Sequence, residues 1–157
     1  MHKSELHKSL MTIALEEAQA ASARDEVPIG AVLVHRESGE IVARGGNRTI
    51  GKCDPSAHAE IEIIREICLR DGAQRIPDYD IYVTLEPCPM CAAAISFARI
   101  GTLYFGASDP KSGGLTSEVD LYSRPQIHHK PKVVGGILEE ECAGLLKEFF
   151  QRKRKRT

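Results

Sequence analysis

His58-Ala59-Glu60, followed later in the chain by Pro87-Cys88-Pro89-Met90-Cys91, contains the residue types of a metal site with a proton carrier beside it. Cysteines spaced i, i+3 share a helix face, and one imidazole from a separate element completes three protein ligands. A structural zinc is closed by four Cys or His residues, whereas a catalytic zinc takes three and keeps its fourth position open for water. His58, Cys88 and Cys91 are therefore the expected ligands of one zinc ion per subunit. Glu60 then has a task that no structural site needs: to take a proton from a water acidified by the ion and pass it on.

Two thiolates at one helix start are favoured by the free amides and the positive end of the dipole. Pro89 does not interfere, because its missing N–H would have had no intrahelical acceptor. Residues two apart on an ideal helix point roughly 200° away from each other. His58 and Glu60 can serve one site only if it lies ahead of the helix end. A zinc ribbon would need a further ligand at metal spacing, and Cys53, His2, His7, His35, His128 and His129 form no second paired motif. A redox Cys-x-x-Cys pair leaves His-x-Glu unexplained.

The elements that must position these residues follow from periodicity. Residues 3–23 read as a helix, with Leu6, Leu10, Ile13, Ala14 and Ala18 near the helical period. Residues 29–35 and 40–44 read as antiparallel strands joined by the turn Glu37-Ser38-Gly39. Gly45, Gly46 and Gly51 suggest a long loop. Asp54-Pro55 offers an N-cap and a proline at the first helical position, which predicts a helix over 55–69. Residues 81–85 form a buried-strand run, 87–98 a helix opening on the cysteine pair, and 102–105 another strand. Between 106 and 131 Gly, Pro, Ser and Asp predict a long functional loop or a short helix near 118–122. Residues 133–134 give a short strand. From Leu138 the apolar set Cys142, Leu145, Leu146, Phe149 and Phe150 predicts a final helix. This order implies an α/β fold, a mixed sheet with helices on both faces.

A chain of 157 residues suits one domain with a sizeable core. Its net charge of −1 does not announce a polyanion partner, but five consecutive basic residues at 152–156 form a positive arm, either a frayed tail or a nucleic-acid contact. Five cysteines, an odd number, and no signal-like N-terminus lead us to expect a cytoplasmic protein with reduced thiols. Cys142 and Cys68 are expected in the core; Cys53 has no assigned role. No apolar run is long enough to span a membrane.

The two motifs together resemble the zinc-dependent nucleoside and nucleobase deaminases, whose signature is His-x-Glu followed by Pro-Cys-x-x-Cys. Further stretches resemble the bacterial tRNA-specific adenosine deaminases within that superfamily. They are Glu26-Val27-Pro28-Ile29-Gly30-Ala31-Val32, Gly46-Asn47-Arg48, Asp54-Pro55-Ser56-Ala57-His58-Ala59-Glu60 and Tyr82-Val83-Thr84-Leu85-Glu86-Pro87-Cys88. Gly106-Ala107-Ser108-Asp109-Pro110-Lys111 and the segment 136–143 extend the likeness to roughly residues 10–152.

The resemblance implies a cytidine-deaminase-like three-layer α/β/α sandwich on a five-stranded mixed sheet, with residues 1–152 as the deaminase domain and 153–157 as a basic tail. It implies hydrolysis of adenosine to inosine at the wobble position of a tRNA, an arginine tRNA foremost, by a homodimer that binds the anticodon stem-loop. Neither an organic cofactor nor a membrane is implied. Carried over by position, His58, Cys88 and Cys91 bind Zn2+, Glu60 is the catalytic proton shuttle, and Asn47, Asp109 and Lys111 contact the substrate. The segment 112–117 departs from the family's small-residue pattern, and His128 stands where an asparagine is expected; for His128-His129 a structural or RNA-facing role is expected rather than a second metal site. Two rival readings share the motifs: a deaminase of free guanine, cytosine or deoxycytidylate, and a zinc-stabilised RNA-binding module without turnover.

Overall fold

The computed structural model describes residues 2–156. Helix α1 (Lys3–Ala23) precedes the hairpin β1 (Gly30–His35) and β2 (Ile41–Gly46); α2 (Ala59–Asp71), β3 (Tyr79–Leu85), α3 (Pro89–Phe97) and β4 (Thr102–Ala107) follow. After a 3-10 turn at Leu121–Ser123 come β5 (Lys132–Val134) and α4 (Glu139–Lys155). The strands form one sheet in the order β2-β1-β3-β4-β5. β1 is antiparallel to both β2 and β3, while β3, β4 and β5 run parallel, so the sheet is mixed and five-stranded as expected.

Alternation along the strands sorts side chains onto two layers. Ala31, Leu33, Ile81, Val83, Leu103 and Phe105 pack with Ala59, Ile63, Ile67 and Ile95 of α2 and α3. Val32, Val34 and Tyr82 face the other way, against Leu10, Met11 and Ala14 of α1 and Cys142 of α4. Cys142 is core, as its helical position implied, and Cys68 packs on the first cluster.

Some elements differ from the sequence reading. β2 continues through Gly45 and Gly46 instead of ending at 44, and Gly46 pairs with Gly30. A Cβ on Gly30 would overlap the Ala14 carbonyl oxygen, and one on Gly46 would lie 2.8 Å from the Glu17 carbonyl oxygen. These glycines are strand residues because α1 packs directly on their backbone. α2 begins at Ala59, not Pro55. The Asp54 carboxylate accepts from the Ser56 N–H at 2.9 Å and the Ser56 hydroxyl at 2.7 Å, which closes a turn where a cap was expected. The basic arm is not frayed: α4 runs through Lys155, Arg152 donates to the Ser22 hydroxyl, and Lys153 pairs with Asp25. No described helix is long and apolar enough to cross a membrane.

Candidate active site

The later start of α2 resolves the geometric conflict between His58 and Glu60. His58 is the N-cap of α2, in extended backbone (φ −71°, ψ 156°), and Cys88 is the N-cap of α3 in a similar conformation (φ −67°, ψ 169°). His58 therefore leaves the helix before its first turn, and its imidazole and the Glu60 carboxyl line one cavity. His58 caps nothing with its own side chain. That work falls to Asn47, whose Oδ1 accepts the Ala59 N–H at 2.9 Å. Asn47 is itself buried, with the Arg24 guanidinium donating to its backbone carbonyl.

The His58 Nδ1 lies 3.6 Å from Cys88 Sγ and 3.4 Å from Cys91 Sγ. Tetrahedral zinc, with bonds of about 2.3 Å to sulfur and 2.0–2.1 Å to nitrogen, needs sulfur and nitrogen about 3.5 Å apart. The donor set fits that ion. Among the described residues this is the one group of three or more His, Cys, Asp or Glu side chains spaced to hold a metal. Its electrostatics agree. Hydrogen bonding from Cys91, set against burial and aided by His58, holds the Cys88 thiol down at about 4. The Cys91 thiol is pushed far up, by its bond to Cys88 and then by burial. The two sulfurs lie close enough that ionising one disfavours ionising the other, and a divalent cation would let both ionise.

Glu60 is only 3% exposed, with no salt-bridge partner among the described residues. Burial pushes its carboxyl up to about 7. The cavity, about 150 Å³, is walled by Ile29, His58, Glu60, Leu85, Glu86, Cys88, Asp109 and Ser112. A larger groove of about 630 Å³ shares Leu85, Asp109 and Ser112 with it and continues past Lys111 to Ala143, Leu146 and Phe150 of α4.

The structure therefore brings His58, Cys88, Cys91, Glu60 and Asp109 together, puts Lys111 in the adjoining groove, and sets Asn47 behind the site as a helix cap. His129 is structural, its Nε2 bonded to the Ile100 carbonyl at 2.7 Å, while His128 is exposed.

Two buried carboxylates had no role in the sequence reading. Glu26 accepts from Ile50 N–H, Gly51 N–H and the Thr49 hydroxyl, and so holds the loop after Asn47. Glu86 accepts from the loop carrying Asp109 and Lys111. Burial opposes the charge of Glu86, but the Thr116 hydroxyl and three backbone N–H groups outweigh it and hold its carboxyl below the usual value. The available sequence signal was weak: a charged residue adjoining an apolar strand run, at 85–86, or a Val-Pro turn, at 26–28.

The profile of the cytidine and deoxycytidylate deaminase zinc-binding region matches residues 4–107. The chain belongs to that family. Among the deaminases similar to it, the tRNA-specific adenosine deaminase of Agrobacterium fabrum is 56% identical over 144 residues, 92% of this chain and 93% of that one. The Bacillus subtilis tRNA-specific adenosine deaminase is 44% identical, covering 93% and 89%. A structure from work on A-to-I editing by tRNA:A34 deaminases at the wobble position superposes with a TM-score of 0.85 at 55% identity, over 88% of this chain and 99% of that one. The matched deaminase region ends at Ala107. The Asp109 loop and α4, which wall the larger groove, lie beyond it.

Proposed function

We propose that this deaminase converts adenosine to inosine by hydrolysis at the wobble position of a tRNA, an arginine tRNA first among candidates, with Zn2+ held by His58, Cys88 and Cys91. The observation that carries the reading is a zinc-spaced triad and a buried Glu60 in one cavity, in a chain 56% identical to a tRNA-specific adenosine deaminase. When bound, zinc supplies Lewis acidity, drawing the pKa of a water toward neutrality.

The residues do the rest. An adenine flipped out of the anticodon loop enters the cavity between His58, Leu85 and Asp109. A Glu60 carboxylate oxygen takes a proton from the attacking water and delivers it to ring N1 as oxygen adds to C6. It then carries the second water proton to the departing amine, so water and adenosine give inosine and ammonia. Burial of Glu60 excludes competing protons and keeps it able to act both ways.

Asp109 and Lys111 are assigned to the nucleotides flanking the target, Lys111 and the basic residues after 152 to phosphates. The amide nitrogen of Asn47, with no partner among the described residues, is assigned to the target nucleotide. Dimerisation fits α3, where Met90 (39% exposed) and Phe97 (67%) stand on one stripe with half-buried Ala93 and Ala94. Five unpaired cysteines suit a reducing cytoplasm.

The test incubates the zinc-loaded protein with an arginine-tRNA anticodon stem-loop, free adenosine, cytosine and guanine, and measures inosine and ammonia. Inosine from the stem-loop alone is expected. Ammonia from a free base with none from the stem-loop selects a free-base deaminase; no product with zinc bound selects a non-catalytic RNA-binding module.

A further inference from the structure

Glu86 sits between the end of β3 and the Cys88 turn, yet all its side-chain hydrogen bonds go to one distant loop. Oε1 accepts the Asp109 N–H at 3.0 Å and the Thr116 hydroxyl at 2.5 Å; Oε2 accepts the Leu115 N–H at 3.0 Å and the Thr116 N–H at 2.9 Å. One carboxylate, 2% exposed, therefore holds both ends of the 109–116 loop. A Cβ on Gly113 would overlap that carboxylate, so the loop wraps it with bare backbone. The Gly114 N–H donates to the Pro87 carbonyl at 2.8 Å, which ties the loop to the turn before Cys88. Between the pinned ends, Asp109 and Ser112 wall the catalytic cavity while Lys111 and Ser112 wall the α4 groove.

We propose that Glu86 is a positioning residue for substrate capture, fixing the 109–116 loop as the wall common to the catalytic cavity and the groove beside α4. The identity of the substrate, an RNA loop, rests on the function proposed above. Glu86 also borders the catalytic cavity, but none of its side-chain hydrogen bonds goes to His58, Glu60, Cys88 or Cys91; all four hold the loop. A carboxylate presents two acceptor oxygens to four donors. Glutamine presents one oxygen and turns an NH2 toward donors it cannot accept from.

The experiment uses the full-length, zinc-loaded protein carrying Glu86→Gln. The KM for the stem-loop should rise about tenfold with kcat within about threefold of wild type, the pattern of lost binding rather than lost chemistry. Amide hydrogen exchange across residues 109–117 should accelerate at least about tenfold, while zinc stays near one per chain. Thr116→Val removes a single donor and should move both readouts the same way, about threefold; combined with Glu86→Gln it should add less than its separate effect. Unchanged loop exchange and KM in Glu86→Gln would overturn the proposal. So would loss of zinc in step with activity, which would make Glu86 a prop for the Cys88 turn. If Glu86→Gln does not fold, Thr116→Val decides by the same two readouts. Exchange is read without turnover: a wild-type protein inactive on RNA whose loop is still freed by Glu86→Gln removes the functional reading and leaves the loop anchor standing.

Discussion

Asn47 separates two jobs that the sequence presents as one, and a pair of substitutions tells them apart. Its Oδ1 accepts the N–H of Ala59, a residue with no exposed surface, at the start of the helix that aims His58 and Glu60. Asn47→Ala leaves that donor buried and unsatisfied, which costs about 2 kcal/mol. For a domain of this length that lowers Tm by about 4–8 °C. Zinc affinity should fall with it, because His58, the proposed ligand, stands at the N-cap position of the same helix. Asn47→Asp keeps an acceptor for Ala59 and adds a negative charge favoured at a helix N-terminus, so Tm should stay within about 2 °C of wild type. Aspartate lacks the amide N–H, however, and a nucleotide acceptor it once met goes unpaired, costing about tenfold or more in kcat/KM. Calorimetry, zinc stoichiometry and stem-loop kinetics on the two variants are sufficient. An Asn47→Ala protein with wild-type Tm and zinc would refute the cap. An Asn47→Asp protein with wild-type turnover would refute the nucleotide contact and leave Asn47 as a structural residue.

Three other perturbations reach different parts of the molecule. Glu60→Gln preserves volume in the cavity and should keep fold and zinc while lowering ammonia release by at least about 10⁴-fold, as expected when one group is both base and acid; retained turnover would remove Glu60 from the mechanism. Glu26 probes pH. Burial raises its pKa, but the Gly51 and Ile50 N–H groups, the Thr49 hydroxyl and nearby Arg24 outweigh this and hold it below the usual 4.5. A depressed folded pKa means that its stabilisation is complete above about pH 4.5 and is lost as pH falls through the lower folded value. In urea titrations Glu26→Gln should therefore be destabilised most near neutrality and approach wild type as pH falls below 4.5; a constant gap would count against the assignment. Lys111→Ala should weaken stem-loop binding and reduce the slope of log K against log salt by about 0.7, the value for one phosphate contact on single-stranded nucleic acid. An unchanged slope would put Lys111 away from the backbone.

How much of this was legible in the chain depended on whether the determining contact was local. α1 was readable end to end because its apolar repeat faces one sheet, and the cysteine turn was readable because ligand spacing and helix start coincide in five residues. The start of α2 was not. Asp54-Pro55 carries a strong local helix signal, but Asp54 uses its acceptor on Ser56, and the cap comes from Asn47, twelve positions before Ala59. Misplacing that start by one turn would put His58 inside a helix, facing away from Glu60 and unable to share its site. The same holds for Glu26 and Glu86. Each binds backbone N–H groups more than twenty residues away, and backbone donors leave no trace in sequence. Side-chain type is thus readable from spacing, whereas the backbone around the site is held by distant side chains: Asn47 at the start of the helix that follows His58, and Glu26 and Glu86 on two loops. Substitutions at these three positions should degrade substrate handling and stability before they alter the chemistry, the opposite of what Glu60→Gln does.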